Sequence, residues 1–298
     1  MRFAGEIAAV ATAACWGTAA NFFVTAGRRL GSVQLNRIRL LVAGVLLAAT
    51  LWLVRGSPWP VWASQTQFLL LGASGLAGFA IGDSLYFRAL VILGAGRAVL
   101  LLSLAPLCTA IFARWWLGET LGFRVALGMG LTLAGLATVL YGRGNETPRH
   151  AEGSAAMGVV CGVLASIGAG AGYVLSKLGL QGGLDPLSGT LIRVATAGAA
   201  VWLLALFEPR REGGGNVLRD RVALGTTLGG SIAGPFLGVT LSLFALQHTS
   251  AAVASSIFAC APLVALVIGA RFHREPLTLR TVSGTLVTLA GVLALFSR

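Results

Sequence analysis

Charged residues are scarce in this sequence. Only 11% of its 298 residues are Asp, Glu, Lys or Arg, whereas 56% are hydrophobic and the mean hydropathy is +0.84. A soluble globular chain carries about a quarter charged residues because its surface faces water. This composition therefore excludes a soluble domain, and it also excludes a disordered chain. Four cysteines are too few for a disulfide scaffold, and glycine lacks the period of collagen. A polytopic membrane protein remains.

Acidic residues are fewer than basic ones, 10 against 22, so the net charge is +12. This charge would suit a nucleic-acid-binding protein if the basic residues formed clusters. Nearly all of them instead flank apolar runs, as Arg28 and Arg29 do, where they can reach lipid headgroups. The three histidines and four cysteines have no metal-ligand spacing. We expect a lipid bilayer as partner, with no nucleic acid, metal or cofactor.

Long apolar runs dominate the chain. Because about 20 apolar residues cross a bilayer core of about 30 Å, ten runs qualify as spans. They are Gly5–Ala26, Gln34–Val54, Phe68–Leu90, Arg97–Leu117, Leu121–Tyr141, Ala155–Leu178, Leu187–Phe207, Val222–Leu246, Ala251–Ala270 and Thr281–Phe296. The two longest polar breaks are 142–154 and 208–220.

The two halves of the chain repeat each other. Pro262 follows Pro106 by 156 residues, and Thr-Leu-Ala-Gly recurs at the same offset from Thr132 to Thr288. Five helices per half is an odd number, so the second half should cross the membrane upside down. The sequence predicts an all-α integral membrane protein with two inverted five-helix repeats, 1–141 and 155–298, joined by the linker 142–154. Inverted repeats are typical of secondary transporters, whose substrate sites lie near the bilayer midplane.

Several of these motifs together resemble a known family. They are Trp16-Gly17 within the first span, the mid-helix Pro106 and Pro262, Gly118-Glu119 with its echo at Glu275, and the Leu-Ala-Gly runs at Leu133 and Leu289. The chain resembles the EamA family of the drug/metabolite transporter superfamily. This resemblance implies transport of amino acids, other metabolites, drugs or dyes, around a central cavity. It also implies cytoplasmic termini.

Asp83 is the main candidate for a site residue because it lies inside an apolar run. An intramembrane carboxylate costs about 2.5–3.5 kcal/mol unless it is paired. Either an arginine such as Arg37, Arg39 or Arg88 holds it, or it titrates. The repeat places Val239 at the equivalent position, and a residue present in one half only can distinguish the two ends of a substrate. Tyr86 follows Asp83 by three residues, on the same helix face.

The resemblance places further polar and aromatic side chains around the central cavity, although each could instead serve packing. They are Trp16, Asn21, Tyr86, Tyr173 and Ser176. Arg39 and Arg193 correspond between the halves at an offset of 154, because each is followed four and five residues later by Ala and Gly, and both are deep basic candidates for substrate binding. Pro106 and Pro262 each remove an intrahelical hydrogen bond, so we expect each to kink its helix beside a water-filled cavity and to act as a hinge, with a purely structural bend as the alternative. Lys177 is expected to extend its amine towards the membrane surface, with substrate binding as the alternative.

These features predict a secondary transporter, acting as an exporter, of small organic metabolites such as amino acids, working by alternating access in the inner or plasma membrane. No nucleotide-binding loop occurs, so we expect a proton or exchange gradient, or simple facilitation, to drive transport. The alternative is a lipid-linked sugar or nucleotide-sugar translocator, and an intramembrane enzyme is disfavoured because no catalytic constellation is present. We expect a monomer, with a homodimer as the alternative.

Membrane orientation is predicted in two conflicting ways. With ten spans both termini lie on one side, and only seven of the 22 Lys and Arg residues fall on that side. The positive-inside rule would therefore place the termini outside the cytoplasm. The family resemblance implies the opposite, and we favour it.

Overall fold

The computed structural model describes residues 3–93, 95–140, 154–205, 220–273 and 279–296. All regular structure in these ranges is helical. The first half contains α1 (Ala4–Leu30), α2 (Ser32–Arg55), α3 (Gln65–Gly75), a π-helical segment (Leu76–Gly82), α4 (Asp83–Leu93), α5 (Ala95–Leu102), α6 (Ala105–Trp116) and α7 (Phe123–Leu140). The second half contains α8 (Ala155–Gly179), α9 (Pro186–Ala205), α10 (Arg221–Ser231), a π-helical segment (Ile232–Gly238), α11 (Val239–His248), α12 (Ala251–Phe258), α13 (Ala261–His273) and α14 (Leu279–Phe296). Residues 142–153 of the linker, the loop 208–219 and Glu275 lie outside the described residues.

Six helical stretches of the described chain are long and apolar enough to cross a membrane. They are Ala4–Gly27, Val33–Arg55, Gln65–Leu90, Ala155–Gly179, Pro186–Leu204 and Arg221–His248. Shorter apolar helices cover Phe123–Val139, Ala251–Ala265 and Val282–Phe296. Many large apolar side chains point outward, among them Leu53, Phe123 and Leu279, each more than 80% exposed. Such an apolar surface is stable against lipid and not against water, so the fold is that of a multi-pass membrane protein.

Polar side chains cap several helices at their first residues. The hydroxyls of Ser154 and Ser250 accept hydrogen bonds from the first turns of α8 and α12. Asp220 does the same for α10: the backbone N–H groups of Ala223 and Val222 donate to its carboxylate. Together with the ion pair to Arg29, these bonds hold the pKa of Asp220 below its usual range. Caps of this kind satisfy backbone donors that have no partner within the helix.

The fourth and ninth apolar runs are each broken before a proline, which corrects the expectation of one kinked helix per run. α5 ends at Leu102 and α6 begins at Ala105, so Pro106 stands in the first turn of α6, where a missing N–H leaves nothing unpaired. α12 and α13 are separated in the same way before Pro262. The breaks are bridged by i to i−3 hydrogen bonds at matching positions, Leu104 to Leu101 and Cys260 to Ile257.

The last helix of each half packs against the other, α7 against α14. Glycine is required here because the two backbones approach closely. A Cβ on Gly135 would lie 2.6 Å from the carbonyl oxygen of Gly284, and a Cβ on Gly291 would lie 2.8 Å from that of Gly128. The contacts are reciprocal between the repeats, so the two helices are related by a local two-fold axis. Close approach through small residues is how membrane helices associate in the absence of a hydrophobic driving force.

The second helix of each half makes a similar reciprocal contact. A Cβ on Gly44 of α2 would lie 3.9 Å from Val194, and a Cβ on Gly198 of α9 would lie 3.8 Å from Leu40. The same two helices share an apolar cluster that includes Leu47. This contact brings Arg39 and Arg193, which precede Leu40 and Val194, to the same region of the bundle.

Candidate functional site: an intramembrane charge cluster

Asp83 is paired with Arg39. Asp83 is the first residue of α4, directly after the π-helical segment, and its carboxylate accepts a hydrogen bond from the guanidinium of Arg39 on α2. The Nε of Arg39 also donates to Oδ1 of Asn36, one turn earlier, at 2.8 Å. Of the three arginines that the sequence offers as partners, Arg39 is therefore the one that neutralises this acid. The pair retains some accessibility, with 13% of the Arg39 side chain and 28% of the Asp83 side chain exposed.

Two aromatic rings also contact the Arg39 guanidinium. Its central carbon lies 5.4 Å from the ring centre of Phe23 on α1 and 5.7 Å from that of Phe87 on α4. Cations are attracted to the negative face of an aromatic ring, and the attraction is larger when both groups are desolvated. Arg39 is thus fixed by an acid, an amide and two rings.

Arg193 is held much less completely. It is only 2% exposed, and its guanidinium carbon lies 4.6 Å from the ring centre of Phe79, which belongs to the first π-helical segment. It interacts electrostatically with Tyr173 and Asp83. Its Nε is buried and has no hydrogen-bond partner among the described residues. Buried polar atoms are nearly always satisfied, so this orphaned donor marks Arg193 as a residue with spare binding capacity.

The position of Arg193 depends on a close approach between α3 and α9. A Cβ on Gly75 would lie 2.8 Å from Oγ1 of Thr196 and 2.9 Å from Cα of Arg193. A Cβ on Gly78 would lie 3.5 Å from a terminal nitrogen of the same arginine, an ordinary contact. The small residues of this segment thus let the arginine lie against the first half of the chain.

Three aromatic side chains form a layer next to the cluster. Trp16 on α1 stacks on Tyr173 on α8 with ring centres 6.5 Å apart, and Phe258 at the end of α12 meets both rings edge-on. Because Tyr173 also interacts with Arg193 and Asp83, this aromatic layer adjoins the charges.

A second set of polar contacts, which we name the terminal latch, lies at the end of the bundle where Phe3 and Phe296 meet. It consists of Glu6, Glu119, Lys177, Thr249 and Ala251. The Nζ of Lys177 donates to Oε1 of Glu119 at 2.7 Å and to the carbonyl oxygen of Thr249 at 2.6 Å. The backbone N–H of Ala251 donates to the Glu119 carboxylate, and the Thr249 hydroxyl donates to Glu6. The latch therefore ties the two halves together.

The remaining predicted residues lie at other contacts. The Asn21 amide donates to the carbonyl oxygens of Gly17 and of Ala265 on α13, so it joins α1 to the second half. Ser176 is buried and its hydroxyl lies 2.7 Å from that of Ser74, between α8 and α3. Tyr86 lies one turn beyond Asp83, interacts with it electrostatically, and packs beside Phe87. Thus Asp83, Arg39, Arg193, Tyr173 and Tyr86 come together with Trp16 alongside, whereas Asn21 and Ser176 are engaged in helix packing.

Sequence reasoning missed Asn36, Phe79 and Phe258. Asn36 could have been found from its spacing of three residues before Arg39, which places both on one helix face. Phe79 and Phe258 carry no such signal, because their roles depend on which helices meet. Within the described residues, no group of three or more His, Cys, Asp or Glu could hold a metal ion.

A helical bundle with duplicated halves and a buried charge cluster defines a polytopic membrane protein of the transporter class. The EamA-like transporter family matches residues 3–141 and 156–297, and the chain belongs to this family. It is 24% identical to an uncharacterized transporter of Archaeoglobus fulgidus, over 94% of both chains. It is 29% identical to an uncharacterized protein of Pseudomonas aeruginosa, over 88% of this chain and 83% of that protein. A solved crystal structure shares the fold, with a TM-score of 0.77, 19% identity and coverage of 99% and 96% of the two chains.

Proposed function

We propose that this protein is a secondary transporter that exports a small organic metabolite across the inner or plasma membrane by alternating access. The observation that carries the proposal is the Arg39–Asp83–Arg193 cluster. Three ionisable groups within the apolar bundle are costly to maintain, and ionised side chains in membrane proteins mark substrate or ion pathways. We attribute the remaining exposure of Asp83 to an aqueous cavity that reaches the cluster, since exposure of a carboxylate to lipid would be unfavourable.

Ten membrane spans fit this proposal. The six long apolar stretches supply the first three spans of each half. The broken pairs α5–α6 and α12–α13 supply the fourth span of each half, and α7 and α14 supply the fifth. An odd count per half makes the repeats inverted. Inverted repeats with broken helices at the centre are the usual architecture of secondary transporters.

The terminal latch and the proline breaks supply a gating scheme. In this scheme the structure represents a state in which the latch closes the end of the bundle where α1 begins and α14 ends. Opening that end requires Lys177 to leave Glu119 and Ala251 to lose its acceptor. Rotation about the breaks before Pro106 and Pro262 would allow α6 and α12, which pack together at this end, to separate. We place the termini in the cytoplasm, so the latch is the cytoplasmic gate.

Counterflow in proteoliposomes tests transport directly. Purified protein is reconstituted with unlabelled metabolites inside the vesicles, and uptake of each labelled metabolite is measured for wild type and for Asp83→Asn. We expect at least one metabolite to accumulate transiently with wild type and about tenfold less with the variant, because a charge-assisted contact is lost. Arg124→Gln is the matched control, since it removes an exposed charge at the start of α7.

Absence of counterflow for every metabolite tested would contradict the proposal. If metabolites were instead chemically altered, an intramembrane enzyme would be the better description. Equal transport by wild type and Asp83→Asn would show that transport occurs without the charge cluster.

A further inference from the structure

We propose that the substrate is a small organic monoanion, with one carboxylate and an apolar body, and that Arg193 binds its carboxylate. This inference rests on the proposed function and deepens it by naming the substrate class. It begins from the correspondence of Arg39 and Arg193, which occupy equivalent places on α2 and α9, two helices that pack together.

The two arginines differ in one respect. Arg39 has a carboxylate partner, Asp83, at the first residue of α4. The repeat places Val239 at the first residue of α11, 156 residues later. Val239 is buried in the apolar cluster that includes Ile192, the neighbour of Arg193. The second half therefore has an arginine equivalent to Arg39 but no acid equivalent to Asp83. The Nε of Arg193 has no hydrogen-bond partner among the described residues.

The charges of the cluster point to an anion. Arg39 and Arg193 contribute two positive charges and Asp83 one negative charge, which leaves one positive charge in excess. Removing an uncompensated charge from water is unfavourable. A ligand with a single negative charge would neutralise the cluster, and a planar carboxylate matches the fork geometry of a guanidinium. A doubly charged phosphate would leave an excess of the opposite sign.

The same arrangement disfavours amino acids. A zwitterion needs an acceptor for its ammonium group beside the donors that bind its carboxylate. Asp83 is occupied by Arg39, and the two other acids deep in the described bundle, Glu6 and Glu119, are engaged in the terminal latch. Around Arg193 the described surfaces are instead aromatic, with Phe79 beneath the guanidinium and Tyr173 nearby. Such surfaces favour an apolar body on the ligand.

Thermal stabilisation of the purified protein tests binding without relying on transport. The probes share a phenyl ring and differ in charge: phenylacetate, phenylalanine, phenylacetamide, phenethylamine and phenyl phosphate. A ligand that binds only the folded protein raises its melting temperature. We expect phenylacetate to stabilise wild type most. We expect binding to weaken about tenfold to a hundredfold in Arg193→Gln, as for loss of a charge-assisted hydrogen bond.

A substitution at Val239 provides a matched pair. Val239→Asp supplies the missing acid and should occupy Arg193, so phenylacetate should no longer stabilise the protein. Val239→Asn has the same size without the charge, so any general damage from a polar group at this position appears in both variants. If both variants fail to fold, the comparison of wild type with Arg193→Gln still tests whether Arg193 binds the carboxylate.

The proposal is overturned if phenylalanine or phenyl phosphate stabilises wild type as well as phenylacetate does, if no probe binds, or if Arg193→Gln binds phenylacetate unchanged. Counterflow separates the two claims. If phenylacetate binds in a manner that depends on Arg193 but no counterflow occurs, the anion site is supported and the transport function is contradicted. If zwitterions show counterflow with no preference for anions, transport is supported and the anion site is contradicted.

Discussion

Lys177 and Glu119 form an ion pair between the two halves of the chain, with 2.7 Å between Nζ and Oε1. Both side chains are mostly buried, with 21% and 16% exposed. Glu119 also accepts the backbone N–H of Ala251, the first residue of α12. One carboxylate therefore joins α8 to the break between α11 and α12, and its loss should affect the closed end of the bundle.

Glu119→Ala is expected to favour the state open at the latch. It removes the partner of Lys177 and the acceptor of Ala251 together, whereas Glu119→Gln keeps an acceptor oxygen and should have a smaller effect. The measurement is the distance between spin labels attached on the two sides of the latch. Arg55→Gln is the control, because its ion pair with Asp185 at the same end spans 3.7 Å and the Arg55 side chain is half-exposed, and exposed pairs contribute little. Unchanged distances in Glu119→Ala would mean that the latch does not hold the gate.

Arg39 and Asp83 should be energetically coupled. Removing either charge leaves the other buried without its partner, whereas removing both leaves two neutral groups. The double variant Arg39→Gln/Asp83→Asn should therefore be more stable than the sum of the two single changes predicts, by about 0.5–3 kcal/mol. Thermal unfolding of the four proteins in detergent measures this coupling. Additive effects would show that the pair contributes no interaction energy.

Pro106→Ala and Pro262→Ala should change the balance between the open and closed states without unfolding the protein. Alanine allows α5 to continue into α6, and α12 into α13, so each broken span becomes stiffer. Labelling of the native Cys108 and Cys260 with an impermeant maleimide reports the change, since both residues are partly exposed. Pro186→Ala is the control, because this proline stands at the first residue of α9 and interrupts no apolar run. Labelling rates equal to wild type in both variants would argue against hinges.

Gly135→Val should destabilise the fold by about 1–3 kcal/mol, as overpacking of a close contact does. The added side chain would meet the backbone of α14 at Gly284. Gly130→Val, on the same helix, is the matched control, because a Cβ there meets open space. Melting temperatures of the two variants in the same detergent provide the comparison. Equal melting temperatures would place α7 and α14 further apart than described.

A reporter fused after the last residue should be active in the cytoplasm. The charge count and the family resemblance make opposite predictions here, so the result chooses between them. A reporter that is active only in the cytoplasm should give signal, and a reporter that is active only in the periplasm should give none. The reverse pattern would mean that the terminal latch lies on the outer side of the membrane.

Most of the fold could be predicted from the sequence because membrane spans are encoded by long apolar runs. The duplication was also visible, since Pro106 and Pro262 keep a constant spacing from their neighbours. The helix breaks were not predicted as breaks, because a proline within an apolar run is compatible with a kink or an interruption. Which of these forms depends on tertiary packing.

The candidate site was predicted in part. Asp83 stood out because a lone carboxylate in an apolar run needs a partner, and the sequence offered three arginines for this role. The choice of Arg39 depends on where the fold places α2 relative to the first residue of α4, which the sequence does not specify. Lys177 was expected to reach towards the membrane surface, and the structure places its amine on Glu119 because α8 ends beside the loop before α7.

The two π-helical segments determine where α4 and α11 begin. They cover Leu76–Gly82 and Ile232–Gly238, which correspond residue for residue at an offset of 156. Pro235 lies in the second segment, whereas Phe79 occupies its place in the first, so proline is not what the two wide turns share. A π turn arises where an α-helix accommodates one extra residue. The matched wide turns therefore present Asp83 and Val239 at equivalent places with nearly the same backbone angles, so the two halves differ there in the side chain and not in the backbone.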